Sequence, residues 1–166
     1  MIGAMPEKYR NTERGEKMKI GFIGLGIMGK PMSKNLLKAG NQLVVFDRNT
    51  AAVEEVVSAG AKKAASAAEV AAECRTIITM LPNSPHVRSV CLEENGVADT
   101  AKPGTVVIDM SSIDPMQSKS IGSALAEKGI SSWMPRSAAA NPRLLTAHCP
   151  SWSVAGKKLS RNTTTY

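Results

Sequence analysis

The chain has 166 residues, 43% of them hydrophobic, and a formal net charge of +7. That length suits one domain with a real core, because domains cluster near ~100–150 residues. No apolar run approaches the ~18–20 residues of a membrane helix, and the N-terminus lacks the apolar stretch of a signal peptide. A membrane protein and a secreted one are therefore not expected, and the chain reads as cytoplasmic. Its three cysteines (Cys74, Cys91 and Cys149) have no paired or CxxC spacing and read as reduced structural thiols.

Three zones follow one another. Residues 1–17 are polar, aperiodic and close to neutral, with four basic and three acidic side chains, and read as a disordered extension. Glu13-Arg-Gly-Glu-Lys17 can be encoded almost entirely by purines just before Met18, as a translated bacterial ribosome-binding site would be. Met18 is accordingly the expected start.

Residues 18–130 alternate strands and helices. Residues 19–23 form an apolar run ending in glycines, a strand. A helix over 28–39 stops at Gly40, where a left-handed residue is needed. A strand over 42–46, a helix over 50–59 and a weak strand over 61–65 come next. Ser66-Ala-Ala-Glu69 is a capping box that opens another helix. A strand over 76–80 precedes Ser84-Pro85, where a capping serine and a first-turn proline start a helix. A strand over 105–108 leads to Asp114-Pro115, the same signal, and a helix to Lys128. Apolar strands alternating with helices predict an α/β fold, a Rossmann-type doubly wound parallel sheet covered on both faces.

Residues 131–166 break the pattern. They hold both tryptophans, three of the nine prolines, an Ala-Ala-Ala run and a Thr-Thr-Thr run, and read as mostly unstructured. They also carry five basic and no acidic side chains, whereas residues 18–130 carry twelve and eleven. The positive excess therefore belongs to the tail, which argues against a basic nucleic-acid-binding face on the folded part.

The chemistry is concentrated in Gly24-Leu25-Gly26-Ile27-Met28-Gly29, a GxGxxG match between a strand and a helix, with Asp47 standing 18 positions past the last glycine. Gly24 allows the tight turn, Gly26 lets a pyrophosphate approach the backbone, and Gly29 allows close helix–strand packing. The helix N-terminus offers free N–H groups to the phosphates. Asp47 could accept from ribose hydroxyls, which favours NAD. Arg48 could pair with a 2′-phosphate, which favours NADP; the balance leans to NAD or mixed use. Met80, Leu81 and Pro82 end a strand at the crevice edge and are candidates for the nicotinamide half. Asp109-Met-Ser-Ser112 ends the next strand on the same edge, where hydroxyls could bind a carboxylate or simply make a turn. His86 reads as a surface residue, and no cluster has metal-ligand spacing.

Gly21-Phe-Ile-Gly-Leu-Gly-Ile-Met-Gly-Lys-Pro-Met-Ser-Lys-Asn35 resembles the N-terminal signature of the β-hydroxyacid dehydrogenases. Ile78-Thr-Met-Leu-Pro-Asn-Ser-Pro-His86 and Asp109-Met-Ser-Ser112 are similar to motifs of that family's tartronate semialdehyde (2-hydroxy-3-oxopropionate) reductases. The likeness runs from Met18 to about Ile130. It implies an NAD(P)-dependent oxidoreductase acting on a small β-oxo or β-hydroxy acid, with Ser111 and Ser112 at the substrate carboxylate and Ser112 also near the nicotinamide. A non-catalytic dinucleotide-binding or interaction module is the alternative.

Past Ile130 the resemblance stops. The family continues with a sixth strand and Asp-Ala-Pro-Val-Ser-Gly-Gly, where this chain has Ser131-Ser-Trp-Met-Pro-Arg-Ser137. Trp133-Met134 must be encoded TGG-ATG, and Pro135 begins CC. Read one nucleotide earlier, these bases give Leu, Val or Met, then Asp-Ala. Residues 135–142 then permit Pro-Val-Ser-Gly-Gly-Glu-Pro. The tail reads as the family's own gene in a shifted frame. The family's catalytic lysine lies on a helix beyond this point, and Lys157 and Lys158 are no substitutes, so no catalytic residue is assigned. The chain is expected to be an inactive fragment with an open sheet edge, lacking the all-α domain on which family-type homo-oligomerisation would depend.

Overall fold

The structure is a computed structural model and describes residues 17–133. The expectations for the N-terminal extension before residue 17 and for the tail from residue 134, with Cys149, Lys157 and Lys158, lie outside the described residues. Six strands and six helices follow in the order β1 (Lys19–Ile23), α1 (Gly29–Lys38), β2 (Gln42–Phe46), α2 (Thr50–Val57), β3 (Lys62–Lys63), α3 (Ala67–Glu73), β4 (Thr76–Thr79), α4 (Ser84–Leu92), α5 (Val97–Thr100), β5 (Val106–Asp109), α6 (Pro115–Glu127) and β6 (Ser131–Trp133). All pair in parallel in one sheet of order β3-β2-β1-β4-β5-β6. The strand order reverses direction between β1 and β4, the switch point beside which doubly wound folds place their ligand crevice.

The period of two in the strands divides the core between the faces. Ile20, Phe22, Leu43, Val45 and Ile78 pack with Leu36 of α1 and Ala52, Val53 and Val56 of α2. Ile23, Val44, Ile77 and Val107 pack on the other face with Val70 of α3, Val87 and Cys91 of α4, and Ile121 and Leu125 of α6. Burying both faces is what demands strands as apolar as Ile-Gly-Phe-Ile and Leu-Val-Val-Phe. Among the described residues no helix is long and apolar enough to cross a membrane.

The structure corrects the sequence reading in four places. Residues 131–133 form a sixth strand: Val106, Val107 and Ile108 are in register with Ser131, Ser132 and Trp133, so the edge of β5 is covered over three residues. The cap of α4 is Asn83, whose side chain accepts from His86 N, while Ser84 lies inside the helix. The capping box is opened out by one residue. Ser66 accepts from Glu69 N as expected, but the Glu69 carboxylate reaches Ala65 N at 2.6 Å. The short α5 has no counterpart in the periodicity, because four residues are too few to display one.

Candidate functional site

The carboxyl ends of β1, β2, β4 and β5 lie side by side at one end of the sheet, where doubly wound folds place their ligand crevice, and each is followed there by a loop. The loop after β1 is fixed first. Gly24 N donates to Phe46 O at 3.0 Å, and Gly24 has φ +98°, a conformation that side chains strain to adopt. A Cβ on Gly29 would stand 1.9 Å from Gly24 O, so the start of α1 can lie against the turn only with glycine there.

Gly26 differs. A Cβ there would meet no protein atom within 4 Å, and Gly26 is exposed. Nothing inside the fold requires glycine at this position, so the fit that it serves is with something outside. The helix behind it points the same way. Among the described residues, α2, α3, α4 and α6 each begin with a side-chain cap, from Asn49, Ser66, Asn83 and Asp114. Helix α1, with Met28 at its N-cap, has no side-chain cap and no acidic residue in its first turn; the four-residue α5 also lacks a side-chain cap but carries Asp99 in its first turn. Lys30 N is already given to Gly26 O at 3.1 Å and Pro31 has no N–H, so what this end of α1 offers an anion is its dipole and the N–H groups of the loop ahead of Lys30. Ile27, 89% exposed at the loop tip, adds an apolar rim. These features fit a dinucleotide pyrophosphate.

Asp47 follows β2 directly, beside this loop. Its Oδ2 accepts from Leu25 N at 2.5 Å and its Oδ1 from Asn49 N at 2.7 Å. The carboxylate thus braces the glycine loop and the start of α2 together. It retains lone pairs for further donors, since a carboxylate offers about four acceptor sites. Arg48 follows it, exposed. The link to Leu25 was missed in the sequence, where a residue 22 positions away gives no local signal.

On the other side of the switch point, Met80 and Leu81 are half-buried and Pro82 is exposed. Met80 N donates to Ile23 O at 2.9 Å, which ties this loop to β1. Ser111 and Ser112, paired in the sequence reading as substrate contacts, occupy different places. Ser111 is 2% exposed, and its Oγ accepts from Leu81 N at 2.8 Å. That hydroxyl braces the two loops from beneath. Ser112 is exposed at the crevice edge.

Below them lies a buried group that the sequence reading passed over. Asp109 Oδ1 accepts from Thr79 Oγ1 at 2.9 Å and from Ser111 N at 3.0 Å. Burial pushes the Asp109 carboxyl above the usual carboxylate range, partly offset by the hydrogen bonds from Ser111 and Thr79. Thr79 and Asp109 are partners in the β4–β5 register. Polar residues at matching ends of two adjacent apolar strands were the available signal.

Residues 19–134 match the NAD binding domain of 6-phosphogluconate dehydrogenase. The 3-sulfolactaldehyde reductase of Escherichia coli is 48% identical over 112 residues, 68% of this chain and 38% of that protein. The NAD-dependent L-serine dehydrogenase of Pseudomonas aeruginosa is 44% identical over 112 residues, again 68% of this chain and 38% of the relative. Among solved structures, Mycobacterium tuberculosis 3-hydroxyisobutyrate dehydrogenase with L-serine matches with TM-score 0.67 and 33% identity, covering 72% of this chain and 40% of that one. The chain thus spans about two fifths of the length of these relatives. The glycine loop, the uncapped α1 and the 3-2-1-4-5-6 strand order have their explanation in this likeness: the chain belongs to the family of NAD-binding domains of the β-hydroxyacid dehydrogenases.

Proposed function

We propose that the crevice binds NAD(P) as the cofactor half of an oxidoreductase acting on a small β-hydroxy or β-oxo acid. The observation that carries this is the pairing of an uncapped α1 with a Gly26 that no internal contact requires. In this reading the Gly24–Gly29 loop and α1 hold the pyrophosphate. Asp47 takes the adenosine ribose hydroxyls, and its fixed carboxylate supports NAD over NADP, against the pull of Arg48. Met80, Leu81 and Pro82 flank the nicotinamide, and Ser112, rather than the buried Ser111, meets the substrate carboxylate. The cofactor supplies hydride chemistry; these residues bind it, orient it and keep water away.

The substrate we propose is tartronate semialdehyde, supported by the likeness of residues 78–86 and 109–112 to that branch of the family. The named relatives act on other small acids, so substrate identity is the sharper part of the test. We further propose that the reading frame is shifted around codons 128–134, that the restored protein is cytoplasmic and that this chain alone does not turn over.

The experiment has two arms. The 166-residue chain is titrated with NADH and NADPH, and a gene with the earlier frame restored is assayed with tartronate semialdehyde, 3-sulfolactaldehyde, 3-hydroxyisobutyrate and L-serine. Dinucleotide binding by the chain and reduction of tartronate semialdehyde by the restored protein are expected. No binding in the first arm overturns the cofactor site, and preference for another acid in the second overturns the substrate.

A further inference from the structure

Asp109 is buried, ionisable and outside every role given above. It lies at the end of β5, 5% exposed, with Thr79 at 0% beside it and Ser111 at 2% above. Three hydrogen bonds run through this cluster in series. Thr79 Oγ1 and Ser111 N both donate to Asp109 Oδ1, and Leu81 N donates to Ser111 Oγ. A further backbone bond, Met110 N to Thr79 O at 2.8 Å, closes the ring between the two strand ends. The two loops so connected, residues 80–82 and 110–112, lie on the β4–β5 side of the switch point. Asp47 and the glycine loop lie on the β1–β2 side. A dinucleotide spread across a switch point has its two halves on those two sides.

A carboxyl is costly to bury. Its Oδ2 has no hydrogen-bond partner among the described residues, and Asp109 borders a small, mostly apolar cavity that Val107, Ile121 and Leu125 line together with Cys91, Ser118 and Ser132. A fold that only needed to fill this space would be served by an apolar residue. What an apolar residue cannot do is accept from both Thr79 and Ser111 and so fix the height of one loop against the other.

We propose that Asp109 is a positioning residue that sets, through Ser111, the spacing of the 80–82 and 110–112 loops, and with it the seat of the nicotinamide half of the cofactor. The inference rests on the proposed dinucleotide site. It assigns Asp109 no contact with cofactor or substrate.

The test separates the two halves of the ligand. NADH binding is followed by its fluorescence and ADP-ribose binding by calorimetry, on the 166-residue chain. Asp109→Ala is expected to weaken NADH about fivefold, the scale of one lost hydrogen bond, while ADP-ribose stays within about twofold. Asp109→Asn keeps an accepting oxygen and is expected to restore NADH binding. Should Asp109→Ala not fold, Ser111→Ala carries the test: it removes the acceptor for Leu81 N and the hydroxyl's own bond to Asp109, the link through which Asp109 acts, and is expected to weaken NADH selectively, by about threefold. Equal loss for both ligands, or no loss for either, overturns the proposal. Failure of the unmodified chain to bind ADP-ribose is a different result, because it removes the dinucleotide site on which the proposal stands.

Discussion

Gly26 and Gly29 lie three residues apart in one loop, yet a methyl group on each meets different physics. On Gly29 it would stand 1.9 Å from Gly24 O, a backbone atom that cannot swing aside. Gly29→Ala should therefore cost stability, about 1–3 kcal/mol in denaturant melts, as overpacking does. On Gly26 the methyl meets no protein atom within 4 Å. Gly26→Ala should melt with the unmodified chain and still weaken NADH, because the methyl occupies the path of the pyrophosphate. A Gly26→Ala chain that bound NADH normally would remove the main support for the site.

The same scale contains a pH effect. Burial raises the Asp109 carboxyl above its ordinary 3.8. Below that value both the folded and unfolded chains hold the proton, and the group is neutral to stability. As pH rises past it the unfolded chain ionises first, so stability falls until the folded carboxyl also ionises. Asp109→Asn has no such step. In denaturant melts from pH 3 to 8, the unmodified chain should lose stability relative to Asp109→Asn as pH rises. A constant difference across that range would show that Asp109 titrates as it does in the unfolded chain.

Elements were legible where local chemistry specifies them. Thr50 and Pro115 begin their helices at the positions the sequence indicates, and Gly40 takes φ +87° after α1. Strands β1 and β2 have the predicted bounds because glycines or polar residues interrupt the apolar runs at both ends. The cap of α4 was misread because Asn83 and Ser84 are both capping types, and only geometry shows which side chain faces His86 N. The site divides likewise. The glycine loop is local and could be read, whereas the Asp47–Leu25 and Asp109–Thr79 links join residues 22 and 30 positions apart and emerge only once strands are paired. Ser111 was expected in the crevice because the sequence does not say on which side of a turn a hydroxyl falls.

One of the long-range ion-pair clusters joins α1 to α2. Lys30 and Lys34, one turn apart on α1, reach the two carboxylate oxygens of Glu55 on α2 at 2.8 and 2.6 Å. Hydrogen bonds from Lys30 and Lys34 hold the exposed Glu55 carboxyl down at about 2. A depressed carboxyl contributes stability above its unfolded value of 4.5 and loses it as pH falls towards about 2. Glu55→Gln should thus melt slightly below the unmodified chain at pH 7 and low salt. The gap should close between pH 4.5 and 2. It should also shrink in ~1 M NaCl, where the screening length is about 3 Å. A gap insensitive to both would mean that the side chain acts through packing.

At the scale of the molecule, one sheet separates two cores, and the question is whether they fold together. Val56 of α2 is fully buried on one face and Leu125 of α6 on the other. The strands between them are shared: Ile20 and Phe22 of β1 serve the first core, and Ile23 serves the second. None of β1, β2, β4 and β5 can leave its neighbours without exposing apolar side chains on both faces. That predicts a single cooperative transition. Leu125→Ala should destabilise by about 2–5 kcal/mol, and Val56→Ala by somewhat less. Each should move the whole melt. Cys91 provides a reporter on the α6 side: it is 0% exposed, and burial pushes its thiol up to about 12, so it should resist alkylation until the fold opens. With Val56→Ala, Cys91 labelling, read by peptide mass spectrometry, should begin at the same denaturant concentration as the loss of helical circular dichroism. Earlier loss of the circular dichroism would mean that the α1–α2 face unfolds on its own and that the sheet does not couple the two cores.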